Sequence, residues 1–178
     1  MGISKFIFHK LLGWKIVGGF NSEIKKAVII VVPHTSWHDF YIGVFTRRIT
    51  RTSINWIGKK EMFAWPIGWY FRCIGGAPID RTPGQNKVEA ITDIFKHKEE
   101  FRLSLAPEGT RKKVDTWKTG YYYIALAADV PIIPVSFDYR TKTVKINESF
   151  FPTGDIEADT VILRSYYDGV VGKNPEYT

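Results

Sequence analysis

Two residues suited to proton transfer, His34 and Asp39, follow a short apolar run in this sequence. The run covers residues 27–32 and consists mainly of valine and isoleucine, which indicates a buried strand that Pro33 ends. In open α/β sheets, ligands and catalytic groups collect where the chain leaves a strand. An imidazole beside a carboxylate can take a proton from a hydroxyl, because the carboxylate fixes the tautomer and stabilises the cation. The pair is therefore a candidate general base, although His and Asp also serve in turns and helix caps.

The elements that would position this pair alternate between strands and helices along the chain. Apolar runs predict strands at 27–32, 54–57, 77–79, 103–106, 130–135 and 144–146, the last at an edge of the sheet. Helical spacing of apolar residues predicts helices at 3–17, from 36–39 onward, at 86–102, 117–128 and 156–170. The alternation predicts an α/β fold with a mostly parallel central sheet flanked by helices.

The composition fits a single domain over residues 1–178. Hydrophobic residues make up 44% of the chain and charged residues 24%, which is too apolar for disorder. The formal charge of +7 points to an anionic partner, which could be nucleic acid, anionic lipid or a phosphorylated substrate. A single cysteine, Cys73, excludes an internal disulfide and fits a reducing compartment, so we expect a cytoplasmic protein. We expect no membrane span, because no apolar stretch approaches the roughly 18–20 residues that a span requires.

Residues 1–20 predict an amphipathic helix that would lie on a membrane surface. Its apolar face would contain Ile3, Phe6, Ile7, Leu11 and Trp14, with Lys5, Lys10 and Lys15 around it and no acidic residue in the segment. Such a face suits the headgroup region of an anionic bilayer. We therefore expect peripheral attachment to the inner face of the cell membrane. The alternative is that this helix packs on the sheet and that its apolar residues belong to the core.

Four sequence blocks, in order, resemble those of the glycerolipid acyltransferase family, which 1-acylglycerol-3-phosphate acyltransferases typify. The blocks are His34 to Asp39 with four residues between them, Gly76 to Arg81 ending in Ile-Asp-Arg, Pro107 to Arg111 reading Pro-Glu-Gly-Thr-Arg, and the proline-containing apolar segment 130–135. Together they lie within residues 27–140, the motif-bearing core of the chain. One block could arise by chance, whereas four in order make chance a poor explanation.

The resemblance implies an O-acyltransferase with His34 as general base and Asp39 as the residue that orients it. The acyl group would pass from acyl-CoA or acyl carrier protein to a lysophospholipid, most simply 1-acyl-sn-glycerol 3-phosphate, giving phosphatidic acid. We expect neither a metal nor a cofactor, because the thiolate of a thioester is already a good leaving group. Acyl-CoA or the carrier protein enters as a co-substrate.

The resemblance also implies a binding site for the phosphorylated acceptor. Its expected residues are Arg81, Glu108, Gly109, Thr110 and Arg111. The two guanidinium groups would hold the phosphate, since arginine binds phosphate with two parallel hydrogen bonds. The alternative is that Glu108 or Asp80 forms an internal ion pair with an arginine, which would only fix the loops.

Several residues depart from the family pattern and leave the substrate open. They are Pro33, His38, Pro78, Ala106 and Lys112. Another lyso-lipid or an amine-bearing lipid is therefore an alternative acceptor, and a non-catalytic lipid-binding module at the membrane surface is an alternative function. His38 could replace His34 as the base, although we expect a wall or capping role for it. We expect no nucleic-acid partner, because the basic residues are dispersed and no nucleic-acid-binding motif is present.

Overall fold

The computed structural model describes residues 2–79 and 87–178. The strands within this part of the chain are β1 Lys15–Val17, β2 Lys26–Val32, β3 Asn55–Lys59, β4 Gly76–Ile79, β5 Phe101–Leu105, β6 Ile132–Asp138 and β7 Thr143–Ile146. The α-helices are α1 Ile3–Phe6, α2 His38–Thr50, α3 Gly68–Cys73, α4 Lys87–His97, α5 Gly120–Ala127 and α6 Ile156–Ser165. A π-helical turn, Ile7–Leu11, continues α1, and 3-10 turns cover Lys60–Phe63 and Pro175–Tyr177.

The described strands form one sheet in the order β1-β7-β6-β2-β5-β3-β4. Strands β6, β2, β5, β3 and β4 run parallel to one another. Strand β7 is antiparallel to β6, and β1 pairs with β7 in a parallel arrangement. The central strand β2 pairs Ile30 with Leu105 of β5 on one side and with Pro134 of β6 on the other. The carboxyl ends of β2, β5 and β6 therefore meet at one edge of the sheet, where side chains that follow these strands come together. The predicted α/β fold with a mostly parallel central sheet is confirmed.

The hydrophobic core lies in two layers, one on each face of the sheet. Alternation along β2 directs Val28 and Ile30 to one face and Ala27 and Ile29 to the other. Helices α4, α5 and α6 cover the first face. The N-terminal segment, residues 3–11, and α2 cover the second face. All four side chains are at most 2% exposed, which explains why β2 reads as a continuous apolar run.

The helix predicted over residues 3–17 is wrong beyond Leu11. Gly13 has a positive φ of 72° and turns the chain, after which β1 pairs with β7. Trp14 is buried in the core beside Phe8, so it cannot belong to an outward apolar face. Helical spacing alone could not reveal this strand, because a three-residue strand carries too short a pattern.

Three further details of the sheet differ from the predictions. The strand predicted at a sheet edge, β7, has β1 outside it. Pro131 and Pro134 predict an edge position for the strand at 130–135, whereas Pro134 lies fully buried in the central part of β6. Phe101 begins β5, whereas the prediction extended the preceding helix to residue 102. Helix α4 ends at His97, since residues 98–100 are exposed and polar and leave no apolar face to continue it.

Within residues 2–79 and 87–178, no helix combines the length and the apolar character that crossing a membrane would require.

Candidate active site

The turn after β2 places His34 at the carboxyl edge of the sheet, four residues before α2 begins at His38. Distant residues hold this turn in place. The backbone amide of Asn174 donates to the Thr35 hydroxyl at 3.1 Å, and its side-chain amide donates to the Thr35 carbonyl at 3.0 Å. The segment that follows α6 therefore fixes the backbone beside His34. Thr35 is itself buried, so this contact is shielded from water.

His34 and Asp39 form a hydrogen-bonded pair, with 3.0 Å between His34 Nδ1 and Asp39 Oδ2. Asp39 lies in the first turn of α2 and is 3% exposed, whereas the imidazole is partly open. The Ser36 backbone amide also donates to Asp39 Oδ2, at 2.9 Å. A buried carboxylate held in this way can keep the proton of a neutral imidazole on Nδ1, which leaves Nε2 free to accept another.

His38 points into a different environment from His34. Its Nδ1 lies 2.9 Å from the Ser36 hydroxyl, and its ring packs on Trp37 with centroids 4.0 Å apart. The first residue of α2 thus contacts the turn, as expected of a wall or capping residue. The structure brings Asp39 to His34 and does not bring it to His38.

The loop after β5 carries Glu108 to the His34 backbone. The His34 amide donates to Glu108 Oε2 at 2.8 Å, so the carboxylate of the third block fixes the main chain of the first. Burial raises the pKa of the Glu108 carboxyl above its usual range, and the hydrogen bond from His34 only partly offsets this effect. Among the described residues, no salt bridge joins Glu108 to an arginine.

Gly109, Thr110 and Arg111 follow Glu108 on the exposed part of this loop. Gly109 has a positive φ of 64°, and its amide donates to the Ala106 carbonyl at 3.0 Å. A side chain there would be strained and would meet Lys118, so glycine suits this turn. Asp80 and Arg81, the predicted residues of the second block, lie outside the described residues.

A cavity of about 420 Å3 opens beside the pair of His34 and Asp39, called the dyad below, between α2 and the sheet. His34, Asp39 and Arg111 lie on its wall together with many apolar side chains. The apolar part of the lining includes Ile29, Val31, Val44, Ile54, Ile57, Met62, Leu105, Val135 and Phe137. A volume of this order, lined mainly by apolar groups with a few polar ones, is typical of a ligand site.

Three residues of the site escaped the sequence analysis. Tyr139 donates from its hydroxyl to Asp39 Oδ1 at 2.7 Å. Gly43 and Arg47 line the cavity, and with Asp39 they lie four residues apart along one face of α2. That spacing is a signal the sequence does contain, because Asp39 marks the face of the helix that turns inward. For Tyr139 the sequence holds no comparable signal, since 100 residues separate it from Asp39.

Comparisons with known proteins find matches that cover most of this chain. A family model described as Acyltransferase matches residues 15–138. The 1-acyl-sn-glycerol-3-phosphate acyltransferase of Escherichia coli strain K12 is 32% identical over 133 residues, which cover 71% of this chain and 53% of that protein. The 1-acyl-sn-glycerol-3-phosphate acyltransferase beta of Homo sapiens is 27% identical over 106 residues, which cover 56% and 38%. The crystal structure of the 1-acyl-sn-glycerophosphate acyltransferase from Thermotoga maritima has a TM-score of 0.61 at 22% identity, covering 94% of this chain and 73% of that one.

The chain spans about half the length of the first of these relatives, 53% in the Escherichia coli protein. The Thermotoga structure supports the fold, and the family model covers the turn after β2 and helix α2, which carry His34 and Asp39, as well as the loop after β5. The resemblance predicted from four sequence blocks is therefore confirmed. The chain belongs to the acyltransferase family.

Proposed function

We propose that this protein transfers a fatty acyl group from a thioester to the free hydroxyl of a lysophospholipid, most simply 1-acyl-sn-glycerol 3-phosphate, to give phosphatidic acid. One observation carries the proposal above the others: the His34–Asp39 pair lies on the wall of an apolar cavity. A proton acceptor beside space for a hydrocarbon chain suits the acylation of a lipid hydroxyl. The names of the relatives, which are 1-acylglycerol-3-phosphate acyltransferases, agree with this substrate class.

In the proposed reaction His34 acts as the general base. Its Nε2 takes the proton of the acceptor hydroxyl while that oxygen attacks the thioester carbonyl carbon. The tetrahedral intermediate then expels the thiolate, which receives the proton from the imidazolium, so that the products are an ester and a thiol. Asp39 stabilises the imidazolium through the 3.0 Å contact to Nδ1. No metal or cofactor is required, because the thiolate leaves readily by itself.

The acceptor would lie with its hydroxyl at His34 and its phosphate at the loop after β5. Arg111 supports this orientation because it lines the same cavity as His34 and is exposed enough to meet a charged ligand. Glu108, Gly109 and Thr110 shape that loop, and Arg81 is proposed as the second phosphate ligand on the family pattern alone. An acyl chain would enter the apolar part of the cavity beneath α2.

The acyl donor would be acyl-CoA or acyl carrier protein, both of which carry phosphate groups. Lysines at 112, 113 and 118 lie exposed on the loop that also carries Arg111. Such a group of cations would attract either donor through its negative charge. Product analysis with each donor in turn distinguishes the two.

We further propose that the protein works at the inner surface of the cell membrane, attached by the face that covers the cavity. Two segments pack against α2 on this face. Phe8 of the N-terminal segment contacts Phe45, and Phe71 of α3 contacts Phe40. Both segments carry exposed apolar side chains: Ile3, Phe6 and Leu11 in the first, and Trp65, Ile67, Trp69 and Tyr70 in the second. Tryptophan and tyrosine are the residues that settle at membrane–water interfaces.

The distribution of charge supports the same face. The segments 2–16, 38–51 and 60–73, which form this layer, contain eight Lys or Arg residues against two acidic ones, of which Asp39 is buried. Helices α4, α5 and α6 on the opposite face contain three basic and four acidic residues, of which Asp159 is buried. An anionic bilayer would therefore attract the α2 face more strongly than the opposite one.

Product analysis with purified protein tests the proposed reaction. Mass spectrometry would follow 1-acyl-sn-glycerol 3-phosphate, monoacylglycerol and other lyso-lipids, each with acyl-CoA and with acyl carrier protein as donor. We expect phosphatidic acid as the main product, and Arg111→Ala should lower kcat/KM for the phosphorylated acceptor by roughly ten- to a hundredfold while use of monoacylglycerol changes little. Equal activity of the wild type on monoacylglycerol, or product only from another lyso-lipid, would contradict the proposed acceptor.

A further inference from the structure

The carboxylate of Asp39 is held from two sides, and only one of them belongs to the sequence block that contains it. Oδ2 faces His34 Nδ1 at 3.0 Å and the Ser36 amide at 2.9 Å. Oδ1 accepts from the Tyr139 hydroxyl at 2.7 Å. Tyr139 directly follows β6, so the sheet brings this hydroxyl to the dyad from the strand beside β2.

The Tyr139 ring is itself fixed by elements from both ends of the chain. Trp14 packs edge-on against it with centroids 4.8 Å apart, and the Lys173 ammonium lies over the ring at 5.8 Å. The Tyr139 backbone amide donates to the Val171 carbonyl at 2.9 Å. Burial and the bond to Asp39 raise the pKa of the Tyr139 hydroxyl, which therefore stays protonated and always donates. A donor held so firmly has a defined direction.

We propose that Tyr139 is a positioning residue of this enzyme, which orients Asp39 and thereby sets the strength of His34 as a base; this inference rests on the proposed function. The hydroxyl dipole has its positive end at Asp39, so it moderates the negative charge that His34 experiences. Without the hydroxyl, the Asp39 carboxylate would stabilise the imidazolium more strongly, because its charge is no longer moderated. Its own orientation, and with it that of the imidazole, would be less well defined. Two consequences follow: protonated His34 would persist to higher pH, and the neutral base would be aimed less well.

Tyr139→Phe tests the proposal because it removes the hydroxyl and keeps the ring that packs on Trp14. We expect kcat to fall by on the order of tenfold, the size of one charge-assisted hydrogen bond, while the KM values of donor and acceptor change less than about threefold. The acidic limb of the kcat/KM profile should move to higher pH. The wild type and Tyr139→Phe share the other charged and titratable groups around His34 and Asp39, which are Glu108, Arg111, His38 and Lys173.

Tyr167→Phe is the matched control. Its hydroxyl donates to the Ile30 carbonyl of β2 at 2.9 Å, so the variant loses a tyrosine hydrogen bond at the same edge of the sheet without touching Asp39. It should lower the melting temperature and leave the acidic limb in place. If Tyr139→Phe behaves like Tyr167→Phe, with a lower melting temperature and an unmoved pH profile, Tyr139 is merely structural and the proposal is overturned.

A second measurement does not depend on acyl transfer. Diethyl pyrocarbonate acylates an imidazole only in its neutral form, and peptide mass spectrometry reports the reaction at His34 separately from the other histidines. We expect the pH midpoint of His34 modification to rise in Tyr139→Phe and to stay unchanged in Tyr167→Phe. An unchanged midpoint in Tyr139→Phe would overturn the inference, whereas an absence of acyl transfer by the wild-type protein would overturn the proposed function instead.

Discussion

Glu108 illustrates at the scale of one residue how a site can lower stability. Its carboxylate is buried and accepts the His34 amide, and burial raises its pKa above the usual glutamate value of 4.5. Between pH 4.5 and the raised value, the native protein binds more protons than the unfolded chain. The free energy of unfolding therefore falls as the pH rises through this window, and the cost is fully present above the raised pKa.

Glu108→Gln should consequently stabilise the fold at neutral pH. The amide oxygen can still accept from His34, while the buried charge is gone. We expect its melting temperature to exceed that of wild type by a few degrees at pH 7.5, with the difference shrinking as the pH approaches 4.5. Thermal denaturation across this range measures it, with Glu99→Gln at an exposed position as control. A difference independent of pH, or equal to that of Glu99→Gln, would contradict the interpretation.

At the residue scale, the sequence predicted the site residues that lie together in short sequence blocks. His34 and Asp39 lie five residues apart, and Glu108 and Arg111 lie in one continuous motif, so a local pattern was enough to find them. Tyr139 was missed because its role depends on the pairing of β6 with β2, and strand order in a sheet is not written in local spacing.

Helix α2 is the element that joins the chemistry to the cavity. Asp39, Gly43 and Arg47 share its inner face, and all three line the cavity. A Cβ added at Gly43 would meet only Phe137, at 4.0 Å, so the absence of a side chain there leaves the cavity open. Under the proposed function, Gly43 would therefore help to determine how much of an acyl chain the cavity can accept.

Gly43→Leu should shift the preferred acyl chain toward shorter lengths. The leucine would occupy cavity space, and replacing a glycine in a helix should not lower stability, because glycine costs up to about 1 kcal/mol there. Competition between acyl donors of several lengths, read by product mass, measures the shift. The control is Gly120→Leu in α5, another helical glycine with open space around it. An unchanged chain-length profile would contradict the placement of the acyl chain beneath α2.

The elements were predicted well where burial imposes a pattern and poorly where it does not. Strand β2 is apolar throughout because helices cover both faces of the sheet, and its bounds differ from the prediction by one residue. The prediction for the N-terminal segment was wrong beyond Leu11, because Phe6 and Trp14 have helical spacing although the chain turns at Gly13 between them. The structure divides this segment between core and surface: Phe8 and Trp14 are buried, while Ile3 and Leu11 are exposed.

In the molecule as a whole, charged residues and exposed aromatic side chains are distributed unequally between the two faces of the sheet. Trp65 and Trp69, in the segment whose Phe71 packs against α2, are 93% and 66% exposed. On the opposite face, Val161 and Ile162 of α6 are exposed without a comparable excess of cations. The proposed membrane attachment therefore depends on one face only.

The double variant Trp65→Ser, Trp69→Ser should weaken binding to anionic vesicles by roughly tenfold or more, because two interfacial side chains are lost. Vesicle flotation at low salt measures the change, and Val161→Ser, Ile162→Ser is the matched control on the other face.

Phe6→Glu with Leu11→Glu should also release the protein, since both side chains are exposed and the core residue Phe8 is untouched. Equal loss in the control variant, or wild-type protein that ignores anionic vesicles, would contradict the proposed face.

The most direct test of the central claim is the initial rate of phosphatidic acid formation from 1-acyl-sn-glycerol 3-phosphate and an acyl thioester. His34→Ala should lower this rate by ~10²–10⁴, the usual contribution of a general base, with the melting temperature nearly unchanged. His38→Ala, the matched control two residues from Ser36, should stay within a few-fold of wild type, because its ring contacts Ser36 and Trp37 and not Asp39. A His34→Ala protein that retains the wild-type rate, or a His38→Ala protein that loses it, would contradict the account.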